Sequence, residues 1–247
     1  MEVNLIKESE EASFMKEHAV VDIQVSTAKK FPRNIEKVSR DILSIVSSDR
    51  RIARECFYAI KKDDKIIHGG TIRLAEIVAH NMGNLRIQAK IISKGKDTVV
   101  LEGIAWDLEK NIAYSSQVEK SIKYKDGNRY TDAMITLVTN AGLSIAIRNV
   151  IFKVFPTAML NSLEDKIKES FFKKEKDKKE VIDKSIAFLK KKGIAENTIL
   201  SFFKKPSFDK FTTDDVFDLQ GICMGIEFGD FTAKEVFNNS KGTSFFG

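Results

Sequence analysis

Residues 85–124 carry the pattern that most constrains the fold, with apolar residues at alternate positions and turn sequences between the runs. Leu85, Ile87, Ala89 and Ile91 alternate with Arg86, Gln88 and Lys90, so a strand here places apolar groups on one face and basic or polar groups on the other. Lys94-Gly95-Lys96-Asp97 reads as a turn into a second strand over 98–106. Residues 107–111 turn again into a third, where Ile112, Tyr114, Val118, Ile122 and Tyr124 fall mostly on one parity. Asp126-Gly127 is a further turn signal. The spacing predicts an antiparallel meander with one apolar face.

That face needs a cover, and the sequence supplies one. Asp132 is positioned to cap a long apolar helix over 133–155, in which Met134, Leu137, Val138, Ala141, Ile145, Ile151 and Phe152 form a broad buried face and Pro156 is the stop. Gly142 in mid-helix costs about 1 kcal/mol relative to Ala, and it reads as a close-packing position. Upstream, residues 12–47 read as helix, with Val20, Val21, Ile23 and Val25 before a break at Phe31-Pro32, then Ile35, Val38, Ile42 and Val46 at helical spacing. Residues 54–60 are rich in strand formers, and with 65–70 they suggest a hairpin whose polar turn holds Asp63-Asp64 and which is closed by Gly69-Gly70. Thr71 can cap a helix whose face is Ile72, Ala75, Val78, Ala79 and Met82, ending at Gly83-Asn84. After a lysine-rich helix, three or four short helices begin near Val181, with starts at Thr212 or Thr213 and at Thr232. The fold class expected is α+β: an antiparallel β-meander core packed by a long helix, with N-terminal helices and a small helical C-terminal domain. The expected divisions are a core at 1–165, a basic helical linker at 166–192 and the helical domain at 193–247.

Of the 247 residues, 43% are hydrophobic and 31% charged, which excludes wholesale disorder. No apolar run is read as approaching the roughly 18–20 residues that span a bilayer. The acidic start lacks the apolar core of a secretory signal. Two cysteines, Cys56 and Cys223, do not make a disulfide framework and fit a reducing compartment, so a cytoplasmic, membrane-free protein is expected. The net charge of +6 is unevenly placed. Residues 193–247 hold 5 basic and 8 acidic residues, the remainder of the chain is at +9, and 166–192 alone hold 11 lysines against 5 acids. A basic body with an acidic end points to a polyanion for the body and a different partner for the end.

The chemistry of common active sites is missing. His18, His68 and His80 fall in three separate elements with no nucleophile signature beside them, and neither CxxC nor HExxH occurs. No phosphate-binding GxxxxGK[ST] is present, and Gly69-Gly70-Thr71 is a weak substitute. Glu55, Glu76, Glu102, Asp107 and Asp132 lie near the core without a recognisable nuclease pairing. No catalytic residue, metal site or cofactor is assigned, and the chain is expected not to be an enzyme. Binding remains. Arg73, Arg86, Lys90, Lys94, Lys96, Lys120, Lys123, Lys125 and Arg129 are interleaved with Phe57, Tyr58, Trp106, Tyr114, Tyr124 and Tyr130. Cations neutralise phosphates and aromatic faces stack on bases whatever the sequence. An ordinary half-buried sheet has the same composition.

The order of helix, glycine-asparagine cap, three-stranded meander and long helix with an internal arginine resembles the core of the single-strand annealing proteins, the superfamily of phage RecT and Redβ and the eukaryotic Rad-type annealing proteins. RLAEIVAHNMGNLRIQAKII looks like their helix leading into the first core strand, and LSIAIRNVIFKVFP looks like their closing helix, with Arg148-Asn149 at a Leu-Arg-Asn-like position. The likeness covers about residues 50–160, and the short helical N-terminal part does not match the family's own. It implies ATP-independent binding of single-stranded DNA and annealing of complementary strands in phage- or plasmid-type recombination. It also implies assembly into a homo-oligomeric ring or filament. Arg73, Arg86, Lys90, Lys120, Lys123, Arg129 and Arg148 would touch phosphates, and Tyr124 or Tyr130 would stack on bases or wedge between them. The C-terminal domain would dock a single-strand binding protein or an exonuclease. Two other classes stay open: a non-enzymatic interaction adaptor of a phage or plasmid, and a metal-dependent nuclease.

Overall fold

In the computed structural model, which describes residues 2–62, 65–124, 126–171 and 175–238, the chain begins with α1 (Glu2–Lys30) and α2 (Ile35–Ser48) on either side of Pro32. The Asn34 side chain caps α2 by accepting from the Lys37 N–H, and α2 buries Val38, Ile42 and Val46, the stripe its spacing predicts. A short helix, α3 (Arg50–Glu55), takes the positions where the strand is expected to start. Asp49 nucleates it by accepting from the Arg51 N–H. The hairpin of β1 (Phe57–Lys62) and β2 (Lys65–Gly70) follows, antiparallel, with Phe57 opposite Gly70. Gly69 and Gly70 therefore end β2 and lie far from the turn, and Asp63-Asp64 fall outside the described residues. The helix α4 (Ile72–Met82) starts at Thr71, whose hydroxyl accepts from the Leu74 N–H, and stops where Gly83 and Asn84 take positive φ.

The meander forms as its alternation predicts, with β3 (Leu85–Lys94), β4 (Thr98–Asp107) and β5 (Ile112–Ser121) hydrogen-bonded in that order. Val99, Leu101, Gly103, Ala105 and Asp107 of β4 are buried, and the residues between them are half-buried. Residues paired across the ladder share a face. Ala89 and Ser116 thus lie beside Gly103 on the covered side, while Arg86, Gln88 and Lys90 lie beside Trp106, Ile104 and Glu102 on the other. One helix cannot cover three strands to their ends, so Ile91 on one edge and Ile112 and Tyr114 on the other remain substantially exposed.

The cover is α5 (Asp132–Val154). Its cap is Thr131, one residue earlier than expected: the Thr131 hydroxyl accepts from the Met134 N–H, and Asp132 sits in the first turn. Where a Cβ would stand on Gly142 lies the Leu101 side chain, and a Cβ on Gly103 would strike the Ala146 carbonyl. Helix and strand thus meet almost backbone to backbone. Met134 and Leu137, expected in the buried face, are instead exposed, Leu137 at 65%. Only Ile135 of the first turns reaches the small cluster of Val99, Leu101 and Ile122, and among the described residues nothing covers the opposite side. α5 is also long and apolar enough, by length and composition alone, to cross a membrane, with a mean hydropathy of 1.5, contrary to the reading that no run approaches that length. Here it serves as the core helix over the meander.

Five further helices, α6 (Thr157–Phe171), α7 (Glu175–Lys191), α8 (Glu196–Phe203), α9 (Thr213–Glu227) and α10 (Ala233–Asn238), follow. One buried cluster runs from Val38 to Phe237, across positions 165 and 192 where the sequence draws boundaries. Leu163 and Ile167 of α6 and Val181 and Leu189 of α7 belong to it, so the lysine-rich stretch also has a buried apolar side. α9 lies on the β1–β2 hairpin, with the Phe217 and Phe57 rings 6.2 Å apart. It starts with a capping box between Thr212 and Asp215.

Two charged clamps hold the elements in register. Arg33, from the loop after α1, reaches both oxygens of Asp107 at 2.9 Å and Glu109 at 2.9 Å, and Asn84 also donates to Glu109. All three charged side chains are about nine-tenths buried. His68 of β2 sits between Glu164 of α6 at 2.9 Å and Asp218 of α9 at 2.6 Å. Burial opposes its charge, but the hydrogen bonds with the two carboxylates prevail and raise its pKa to about 9.

Arg33→Ala leaves Asp107 and Glu109 buried without their cation and is expected to cost about 3–5 kcal/mol in chemical denaturation; a loss under about 1 kcal/mol would contradict the clamp. His68 binds its proton more tightly folded than unfolded, so its contribution is complete below about pH 6.5 and disappears as pH rises to about 9. The urea midpoint should fall across that window, and His68→Gln should lower it at pH 6.5 and flatten the decline. A wild-type midpoint level from pH 6.5 to 9 would rule this out.

Candidate nucleic-acid interface

The nine residues that the sequence singles out separate into three places. Lys123, Tyr124, Arg129 and Tyr130 come together where β5 leads into α5. Lys123 and Arg129 form an isolated bridge, the Tyr124 N–H donates to the Asn128 carbonyl at 2.8 Å, and the Tyr130 N–H donates to the Ile122 carbonyl at 2.9 Å. This small extension folds against the β3–β4 turn. The Arg129 guanidinium donates to the Lys96 carbonyl at 3.0 Å, Lys123 pairs with Asp97 at 3.0 Å, and the Ile122 N–H donates to the Asp97 carbonyl. Lys94 and Lys96 of that turn are exposed beside it, and Lys125 lies outside the described residues. Tyr124, 47% exposed, stands edge-on to Tyr130 with ring centres 4.5 Å apart, while Tyr130 packs on the cluster below. The result is a knuckle that carries cations and an accessible aromatic face on a hydrogen-bonded frame.

Arg86 and Lys90 lie on the open side of the sheet. Arg86 is 2.8 Å from Glu17 and 3.2 Å from Gln24, so α1 crosses the sheet there, and Lys90 pairs with Glu102 at 3.4 Å. Charge on this side is largely balanced by carboxylates within the protein.

Lys120, Arg148 and Arg73 form the third group, under the loop after α9. Arg148 is buried, ion-paired to Asp230, and stacked 4.9 Å from the Tyr58 ring centre. Asp230 and Asn149 thus engage the guanidinium that is expected to touch phosphate, and about one-tenth of that side chain, 11%, remains exposed. The Lys120 amine donates to the Gly229 carbonyl at 3.4 Å, and desolvation lowers its pKa although Asp230 partly counters this. Arg73 is exposed, pairs with Glu76 and Glu55, and lies over the Phe228 ring.

Elsewhere, Cys56 and Cys223 are buried, and desolvation pushes both thiols up to about 12, so neither is a nucleophile near neutral pH. Among the described residues no group of three or more His, Cys, Asp or Glu side chains is arranged to hold a metal ion. Sequence reasoning missed Arg33, Asp218 and Asp230, whose partners lie 74 to 150 residues away and leave no local signal. No family model, curated protein or solved structure matches the chain.

Arg148→Met is expected to lower stability, because it strands Asp230, while leaving the affinity for single-stranded DNA and its salt dependence unchanged. A folded variant with a reduced salt slope would return Arg148 to the interface.

Proposed function

We propose that this protein binds single-stranded DNA through the knuckle at the end of the meander and anneals complementary strands without ATP. The observation that carries this reading is that Lys123 and Arg129, on either side of the exposed Tyr124 in the chain, fold against the turn that bears the exposed Lys94 and Lys96. Cations neutralise backbone phosphates, and a ring on a firm support stacks on a base without selecting its identity. Holding the backbone leaves base edges free for an incoming strand, and pairing is downhill, so no nucleotide hydrolysis enters. The edge strands β3 and β5 have no further strand beside them among the described residues, which leaves room for a neighbouring copy and supports a homo-oligomer. Cytoplasmic placement and docking of a single-strand binding protein or exonuclease by the C-terminal helices belong to the same proposal.

An interaction adaptor is the second reading. It is favoured by Ile91, Ile92, Met134 and Leu137, large apolar side chains exposed toward the same end of the sheet.

The test is fluorescence annealing of labelled complementary oligonucleotides without ATP, with a gel to read strand length. Salt-sensitive acceleration with intact strands is expected. Lys94→Gln with Lys96→Gln should reduce the slope of log affinity against log salt by roughly 1.4 if both touch phosphates. Tyr124→Ala should cost about 1–3 kcal/mol of binding. No binding at low salt would leave the adaptor, and shortened strands would mean nuclease activity.

A further inference from the structure

α1 is held to the protein along one side. Arg86 of β3 reaches Glu17 at 2.8 Å and Gln24 at 3.2 Å, and on that side of the helix Val21 and Val25 are half-buried and Ala28 is buried. The opposite side is apolar as well. Met15, Ala19 and Ile23 recur at intervals of four and form an outward stripe, with Val20 beside it. Met15 is 71% exposed and Ile23 65%. A helix with apolar stripes on two sides belongs between two layers, and the described residues supply one, the sheet.

The charge of α1 says what the second layer is. Residues 2–17 hold five acidic residues and two lysines, whereas 18–30 hold one acidic residue and two lysines, both in the last turn. By helical spacing Glu8 and Glu11 fall on the outward stripe, seven and four positions before Met15, and Lys30 falls on it seven positions after Ile23. The stripe is therefore apolar in the middle, acidic toward one end and basic at the other. Its complement is the same stripe reversed.

We propose that α1 pairs with α1 of a second copy of this chain, antiparallel, about a two-fold axis near Ala19. Met15 then packs against the partner's Ile23, and Ile23 against the partner's Met15, as an isologous contact requires. The small side chain of Ala19 sits at the crossing. Glu8 comes level with the partner's Lys30, and Glu11 lies within a turn of the partner's Lys29. A parallel pair would instead bring like charges together at both ends, which is unfavourable. The contact uses no residue of the knuckle or of the sheet edges. It is thus separate from the edge-strand contact suggested for the annealing protein, and either can fail alone.

Sedimentation equilibrium of the full chain, without nucleic acid, tests it. A reversible dimer at twice the chain's mass is expected. Ile23→Glu, at an exposed position, should leave the circular dichroism spectrum unchanged and raise the dissociation constant of the dimer by about tenfold or more. Ile67→Glu, at an exposed position on β2, should leave that constant as it is. Glu8→Lys with Glu11→Lys should weaken the dimer, and so, separately, should Lys29→Glu with Lys30→Glu. An equimolar mixture of these two double variants should associate again, because their helices are then complementary. The proposal fails if the wild-type chain stays monomeric at submillimolar concentration, if Ile23→Glu dimerises as the wild type does, or if the mixture associates no better than its components.

Discussion

The close approach of α5 to β4 governs much of this structure. Gly142 on the helix and Gly103 on the strand remove the side chains that would hold them apart, so Leu101 and the Ala146 backbone occupy the space. Packing at that distance sets the height of the helix over the sheet, and interiors at crystal-like density leave little slack. It also decides which parts of α5 are covered. The N-terminal turns touch the sheet through Ile135 and leave Met134 and Leu137 outside, while farther along Arg148 is carried beneath the loop after α9, where Asp230 meets it.

Electrostatics follow from that geometry. The chain is basic, yet much of its positive charge is engaged internally: Arg33 with Asp107 and Glu109, Arg86 with Glu17, Lys90 with Glu102, Arg148 with Asp230. The exposed pairs contribute little to stability and can open for a ligand. The buried ones have traded hydration for each other and act as fasteners between elements distant in sequence. Exposed lysines remain both at the end of the meander, at Lys94 and Lys96, and along α7, at Lys179, Lys190 and Lys191. The acidic end of the chain contributes two more carboxylates, Asp218 on His68 and Asp230 on Arg148.

Residues 85–121 were legible because a strand's two-residue period is written directly into side-chain polarity, and turn chemistry brackets each run. The same holds for α2, for the Thr71 cap and for the Gly142 close contact. Less of the candidate site could be read. Lys123, Tyr124, Arg129 and Tyr130 are near neighbours in sequence, so their convergence is local and their grouping was foreseeable. The pairing of Arg148 with Asp230 was not legible, because the two lie 82 residues apart.

The amino-acid sequence by itself determined the meander, the helix that covers it and the cations and rings that punctuate its turns, since each depends on periodicity or on neighbours within a few residues. Tertiary structure alone decided which of those cations are spent on internal carboxylates and which face solvent. It also decided that the helices after residue 157 share the core of the hairpin and that a cleft opens between α3, α7 and α9. Those outcomes depend on pairings across tens of residues, where burial and charge balance select one arrangement among many that local pattern allows equally.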